Sequence, residues 1–314
     1  MRPYTDSDLN AIVELFNACE AVDQTGMWRT VEGLRQAFNS PSPTFNQAED
    51  LRLWENTDGL IGYGSVWIEP TETGIDGFLG LQVHPTVRNQ GLEEEIISWA
   101  EQRMRQVAED KSGDIKLYSS VRTNRGDLIT RLQNCGFIAV RYFFGMQRDL
   151  REPIPEPQFP EGYSVRTVEP EQDATRWVEM FNQTFIDHWN HHDLTVEEYL
   201  HGSKHPDYSP ELDLIAIAPD GTFAAFCESA IFPEDNKRNG RQEGWVEVLG
   251  TRRGFRSLGL GRAMLLSGMH RLKAKGMDTA LLGVDSENPS GALGFYQSIG
   301  FEKVHTNISY VKNL

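Results

Sequence analysis

The stretch "RSLGLGRAM", residues 256–264, places Gly259 and Gly261 where a helix is about to start, between Arg256 and Arg262. It follows the strand-like run "GWVEVLGT" (244–251). It leads into a segment with Leu265, Met269 and Leu272 at helical spacing, predicting a helix from Gly259 to about Lys275. Such a strand–loop–helix junction is a place to bind phosphate. The first helical N–H groups lack partners within the helix, and the helix dipole adds partial positive charge. Glycines let the backbone approach an anion closely. Arg252, Arg253, Arg256 and Arg262 add formal charge to an otherwise acidic chain. Two readings fit: a pyrophosphate-binding loop, or a glycine-rich turn with solvated arginines. A Rossmann fingerprint would need a third glycine three residues on, and a P-loop would end in Gly-Lys-Ser/Thr.

An earlier stretch, "RNQGLEEEI" (88–96), has the same frame, with Arg88 and Gly91, but Glu93 stands where the later copy has Gly261. The echo extends outward. "VELFN" (13–17) answers "VEMFN" (178–182) at a shift of 165, and "NCGFIAV" (134–140) answers "SIGFEKV" (298–304) at a shift of 164. Both halves open with an extended segment, then an acidic turn holding Asp8 or Asp173, then an amphipathic helix. Near-equal shifts at both ends indicate two copies of one unit of about 150 residues, a common domain size. "REPIPEPQFPEG" (151–162), with four prolines, separates them as a linker. The expected domains are therefore 1–150 and 163–314.

The second copy predicts helices around 171–185 and 195–201, strands at 212–218 and 222–232 joined by "PDG", and the strand at 244–251. After the helix from Gly259 it predicts a strand at 279–285, a short helix at 289–298 and a final strand at 301–311. Hairpins exclude an all-parallel sheet, so the fold class is mixed α/β, a mixed central sheet flanked by helices.

The 314 residues carry a net charge of −16, which argues against nucleic acid as a partner. It favours a cationic or neutral substrate. No apolar run approaches the ~20 residues of a membrane helix. "MRPYTDSDLN" has no apolar h-region, so no signal peptide is expected. Three scattered cysteines form neither a disulfide framework nor a metal-ligand spacing. These features point to the cytoplasm.

Arg256-x-x-Gly259-x-Gly261 resembles motif A of the GNAT N-acetyltransferases, Arg/Gln-x-x-Gly-x-Gly/Ala. "NPSGALGFYQSIGF" (288–301) resembles the family's motif B. The resemblance covers 163–314 well and 1–150 in degraded form. The tandem layout resembles the mycothiol synthase branch. It implies two tandem GNAT-like domains, with acetyl-CoA as co-substrate and direct attack of an amine on the thioester. Motif A implies that Arg256, Ser257, Leu258, Gly259, Leu260, Gly261 and Arg262 receive the pyrophosphate. Backbone groups near Leu249 and Thr251 would pair with pantetheine like an added strand, and Asn288 with Ser290 would contact the same arm. Asn288 followed by Pro289 is also an ideal N-cap with proline at N1, and both roles are compatible.

By the same resemblance Tyr296 is the acid that serves the CoA sulfur. The helix's apolar stripe is already supplied by Ala292, Phe295 and Ile299. Glu247 is the candidate base. Strict alternation puts it on one face with Trp245, Leu249 and Thr251. The branch's own glutamate falls two residues earlier, where this chain has Trp245, so Glu247 is either the base or an exposed strand carboxylate. No metal is expected: the histidines of "DHWNHHDL" with His201 and His205 fit no standard ligand set and read as a solvated loop or acceptor-side surface.

In the first copy Asn124 aligns with Asn288, which puts Leu132 at the tyrosine position. With Glu93 at the glycine position, that copy is expected to be inactive. The chain is thus expected to be an N-acetyltransferase acting on a small-molecule amine from its second domain, as a monomer or homodimer. The rival reading is a non-catalytic acyl-CoA-binding or regulatory protein.

Overall fold

A computed structural model gives the fold and describes residues 1–42, 44–109, 113–186, 188–189, 191–288 and 290–314. The chain forms two compact units. One is Met1–Phe143 with His305–Leu314, and the other is Phe144–Val304.

The first repeat contains β1 (Arg2–Pro3), α1 (Leu9–Asp23), α2 (Val31–Phe38), α3 (Gln47–Asp50), β2 (Leu51–Asn56) and β3 (Gly59–Thr71). It continues with β4 (Gly74–Val83), α4 (Leu92–Ala108), β5 (Asp114–Arg122), α5 (Gly126–Asn134) and β6 (Ile138–Asp149). The second contains β7 (Ser164–Thr167), α6 (Pro170–Phe185), α7 (Val196–Gly202), β8 (Asp213–Ile217), β9 (Phe223–Ala230) and α8 (Pro233–Asn239). It ends with β10 (Glu243–Thr251), α9 (Leu260–Ala274), β11 (Thr279–Asp285), α10 (Ala292–Ser298) and β12 (Glu302–Asn313).

Strand order in the first unit is β1-β2-β3-β4-β5-β12, and in the second β7-β8-β9-β10-β11-β6. The two orders are equivalent except that the last strands are exchanged. Grouping by repeat, as the boundaries 1–150 and 163–314 do, therefore differs from grouping by compact unit at these two strands. β4–β5 and β10–β11 are parallel, while β3–β4 and β9–β10 are antiparallel, so each sheet is mixed.

The acidic turns have one physical role in both copies. The Asp8 carboxylate takes both outer nitrogens of Arg2 at 2.7 Å and accepts Thr5 N–H at 2.8 Å. The Asp173 carboxylate takes those of Arg166 at 2.6 and 2.7 Å and accepts Glu169 N–H at 2.8 Å. Each aspartate ties its helix entry to the strand before it, and the Arg2 guanidinium pulls the Asp8 carboxyl down to about 2.

Behind β10, α9 buries Ala263, Met264, Leu265, Leu266, Met269 and Leu272 in the main core of the second unit. The opposite face is covered by α6 and α7, where Trp177 stacks on Tyr199 at 4.4 Å beside Phe226. The element α8 went unread in the sequence. It has Pro233 at its start, acids in its first turn, bases in its last and Gly240 at φ 63° beyond its end.

The strand exchange gives Tyr310, late in the second repeat, a place in the core of the first unit opposite Ser119. Tyr310→Ala is expected to cost roughly 3–5 kcal/mol, the usual range for truncating a buried large aromatic, measured by urea unfolding. Hydrogen exchange should then show β4 and β5 losing protection. Loss confined to β10 and β11 would contradict the exchange.

Candidate active site

β10 pairs with β11 only from Glu243↔Thr279 to Val246↔Leu282. Beyond that point the strands part, and residues 247–251 keep one backbone edge without a strand partner in β11. On its other edge β10 stays paired with β9, but the register slips between Val246 and Val248. Glu247 is the extra residue of this bulge. A bulge shifts the alternation of side chains by one. Val246, Leu249 and Thr251 therefore all lie on the α9 face. Val246 and Leu249 pack in the α9 core, and Thr251 Oγ1 stands 3.4 Å from where a Cβ on Gly261 would sit. Val248 and Gly250 face α6 instead. The single face expected for Trp245, Glu247, Leu249 and Thr251 is thus broken at Glu247.

The loop after β10 turns on Ser257 at φ 66° and Gly259 at φ 84°, both left-handed. Gly259 caps α9, whose first intrahelical bond is Ala263 N–H to Gly259 C=O at 3.0 Å. The N–H groups of Leu260, Gly261 and Arg262 precede that bond and form the helix's donor end. The Leu260 side chain is in the core (1 % exposed), so only its backbone serves the loop, whereas Leu258 is 48 % exposed. Gly261 has an ordinary φ, and an added Cβ would meet nothing closer than Thr251 Oγ1. Neither backbone strain nor packing demands glycine there.

The arginines divide by role. Arg252 pairs with Glu179 at 2.7 Å. Arg256 donates to the Thr184 carbonyl at 2.9 Å and the Thr251 carbonyl at 3.4 Å, clasping the loop to the ends of β10 and α6. Arg262 makes no hydrogen bond or ion pair among the described residues, leaving it available to an anion.

Across the splay, β11 runs into a turn in which Asn288 Oδ1 accepts the N–H of Ser290 at 2.9 Å and its hydroxyl at 2.5 Å. Gly291, not Asn288, caps α10, so the helix begins at Ala292 rather than 289. Pro289 lies outside the described residues. Tyr296 follows on α10, half-buried against Phe295 and Phe301. Its hydroxyl has no hydrogen-bond partner among the described residues. Burial and the nearby Cys227 hold its pKa above the ordinary phenol value. Loop, open strand edge, Asn288 turn and tyrosine all belong to the one unit.

Residues 174–301 match the family model described as "Acetyltransferase (GNAT) family". These residues are a GNAT acetyltransferase domain. The mycothiol acetyltransferase of Thermobispora bispora is 28% identical over 309 residues, 98% of this chain and 96% of that protein. That of Thermomonospora curvata is 28% identical over 271 residues, 85% and 84% of the two chains. Among solved structures, a GCN5-related N-acetyltransferase from Sphaerobacter thermophilus superposes with a TM-score of 0.73 at 22% identity, covering 99% of this chain and 94% of that one. A tandem GNAT protein from the clavulanic acid biosynthesis pathway gives 0.71 at 13% identity, covering 100% and 97%. At those identities the solved structures carry the fold, and it is the tandem GNAT fold. With the GNAT domain and these relatives, the protein is an acetyl-CoA-dependent N-acetyltransferase.

The first GNAT-like unit keeps the backbone of this site and changes its chemistry. β4 and β5 part after Phe78↔Tyr118. Asn89 and Gly91 repeat the left-handed pair at φ 62° and 98°, and Arg88 clasps the Val83 carbonyl at 3.1 Å as Arg256 clasps that of Thr251. Yet the Glu93 carboxylate accepts the Asn89 N–H at 3.1 Å, so a side chain of the helix sits over its own loop. Glu94 pairs with Arg131 at 2.9 Å. Asp23 takes Arg88 at 2.6 Å and Arg125 at 2.7 Å. Leu132, at the tyrosine position, is fully buried, and Asn124 is tied to the Asp23 carbonyl at 2.8 Å.

Two acidic residues of the GNAT domain escaped the sequence reading. Asp213 on β8 stands directly opposite Glu228 on β9, and Glu228 opposite Val248 beside the Glu247 bulge. Glu247 is reachable by water, but the surrounding protein raises its pKa. Among the described residues no three His, Cys, Asp or Glu side chains are placed to hold a metal. His191 pairs with Asp193 at 3.1 Å, His205 lies by Asp207 at 3.8 Å, and His201 ends α7. Asp187 and Asn190 of that stretch lie outside the described residues.

Because Gly261 serves neither conformation nor packing, Gly261→Ala should leave the melting temperature unchanged or raised. Alanine is favoured over glycine in a helix by up to ~1 kcal/mol. A clear drop in a thermal melt would mean that the fold itself requires the glycine.

Proposed function

We propose that the second unit acetylates the primary amine of a small molecule by direct transfer from acetyl-CoA, and that the first unit neither binds acetyl-CoA nor catalyses. The observation that carries this is the pair of loops. They share one backbone, but Gly261 leaves the donor end of α9 open where Glu93 covers its counterpart.

In this reading the pyrophosphate meets the N–H groups of the Ser257–Arg262 loop and the free Arg262 guanidinium. Arg256 acts by holding the loop in place. The pantetheine amides add to the open edge at Leu249 and Thr251, with Asn288 and Ser290 flanking it. Glu247 takes a proton from the acceptor ammonium. The freed lone pair forms a C–N bond to the thioester carbon, and the C–S bond breaks with its electrons on sulfur. Tyr296 gives that sulfur its proton. The nitrogen loses two protons in all; one balances the thiol and one goes to solvent.

Glu247 is the bulge residue next to the end of β10–β11 pairing, a position that suits a base acting on a nucleophile entering the splay. The relatives' name, mycothiol acetyltransferase, makes a mycothiol-type acceptor the first compound to assay, ahead of other small amines.

Thiol release from acetyl-CoA with an amine panel tests the reading. Tyr296→Phe should lower kcat by roughly 10²–10⁴ while acetyl-CoA affinity stays unchanged. Wild-type kcat in that variant would remove Tyr296 from the chemistry.

A further inference from the structure

The α6 face of the second unit carries three carboxyl groups on three successive strands: Asp213 of β8, Glu228 of β9 and Glu247 of β10. Like charges directly across a strand pair are destabilising, so the row resists having all its members ionised together. Its inner end is also incomplete. Asp213 is 0 % exposed; Tyr208 donates to its Oδ2 at 2.9 Å, while its Oδ1 has no hydrogen-bond partner. The Trp177 indole N–H approaches this carboxyl, and the buried Tyr199 hydroxyl, on a side chain 7 % exposed, approaches Tyr208. Buried polar atoms in a purely structural network are nearly always paired.

We propose that Glu228 is a positioning residue for the acetyl transfer: on the strand beside Glu247 and backed by buried Asp213, it sets the proton affinity of the base. This rests on the reading of Glu247 as the group that meets the amine.

Two neighbouring carboxyls titrate as a pair. Whichever ionises second does so against the charge of the first. Burial, then the Glu247 charge, push Glu228 up to about 7. Burial, then the Glu228 charge, raise Asp213 well above the carboxylate range, which disfavours a further charge in the row. The groups facing the row are Asp173 of α6, already neutralised by Arg166, and the neutral Trp177, Tyr199 and Tyr208. The strongest charge felt by each of Glu228 and Asp213 is therefore a neighbouring carboxylate. Burial raises the Glu247 carboxyl above its ordinary value, and a base so raised accepts the ammonium proton more effectively than an ordinary surface glutamate. The sign follows. With Glu228 charged, Glu247 loses its proton at higher pH; with Glu228 neutralised, it loses it at lower pH.

The test uses the full chain and two readouts. In carbon NMR of protein labelled at the glutamate carboxyls, wild type should show a coupled pair with its upper step near neutral pH. Glu228→Gln should move the Glu247 step down by about one pH unit or more, and Glu247→Gln should do the same to Glu228. In the rate assay, Glu228→Gln should move the acid limb of kcat/KM down by the same amount and lower the plateau, while Glu228→Asp keeps the limb near wild type. Glu228→Gln should also melt no lower than wild type. Unmoved carboxyl titrations, or a limb that stays put while the rate falls, would overturn the proposal. An inactive wild type whose carboxyls are still coupled would instead remove the reading of Glu247 as base, and the proposal with it.

Discussion

Everything at the site depends on where one parallel strand pair stops. β10 and β11 are held together for four residue pairs, as far as Val246 and Leu282, and then part. Had they continued, the edge at Leu249 and Thr251 would be satisfied by protein and closed to a ligand. Because they part, residues 247–251 keep one backbone edge without a strand partner in β11. β10 leads into the loop before α9, and β11 into the turn before α10, which carries the tyrosine. The bulge at Glu247 falls where the pairing ends, so one irregularity opens the edge and places an acid beside it.

The duplication separates what this geometry needs from what the chemistry needs. Both units keep the parting strands, the left-handed pair in the loop and the arginine that clasps the end of the strand. These are requirements of the backbone, and they are retained where no acetyl transfer is assigned. What differs is small: a carboxylate where the second copy has glycine, and a fully buried leucine where it has a tyrosine. In the first copy an anion is already present over the loop, supplied by the helix itself.

Much of this was legible in the sequence because it depends on local pattern. The repeat shifts, the glycine frame and the tyrosine spacing are properties of short stretches, and the acidic turns at Asp8 and Asp173 announced the helix entries they cap. α8 was also announced, by Pro233, its ordered charges and Gly240, and simply went unread. Other features depend on strand partners, which no local stretch records. Alternation placed Leu249 and Thr251 with Glu247, and a one-residue slip against β9 moved them to the other face. The exchange of β6 and β12 leaves each repeat's sequence intact while moving its last strand into the other unit. Asp213 and Glu228 read as ordinary strand residues until register set them in line with Glu247. Arg256 looked like charge for an anion, but it donates to the carbonyls of Thr251 and Thr184, while Arg262 makes no hydrogen bond or ion pair among the described residues.

The central claim is that one open loop, and only one, receives acetyl-CoA. Titration calorimetry measures it directly, on wild type and on Gly261→Glu, which copies the residue of the first loop into the second. The account predicts one equivalent of acetyl-CoA for wild type and none for the variant, with the variant still folded. Two equivalents in wild type, or undiminished binding by Gly261→Glu, would contradict it.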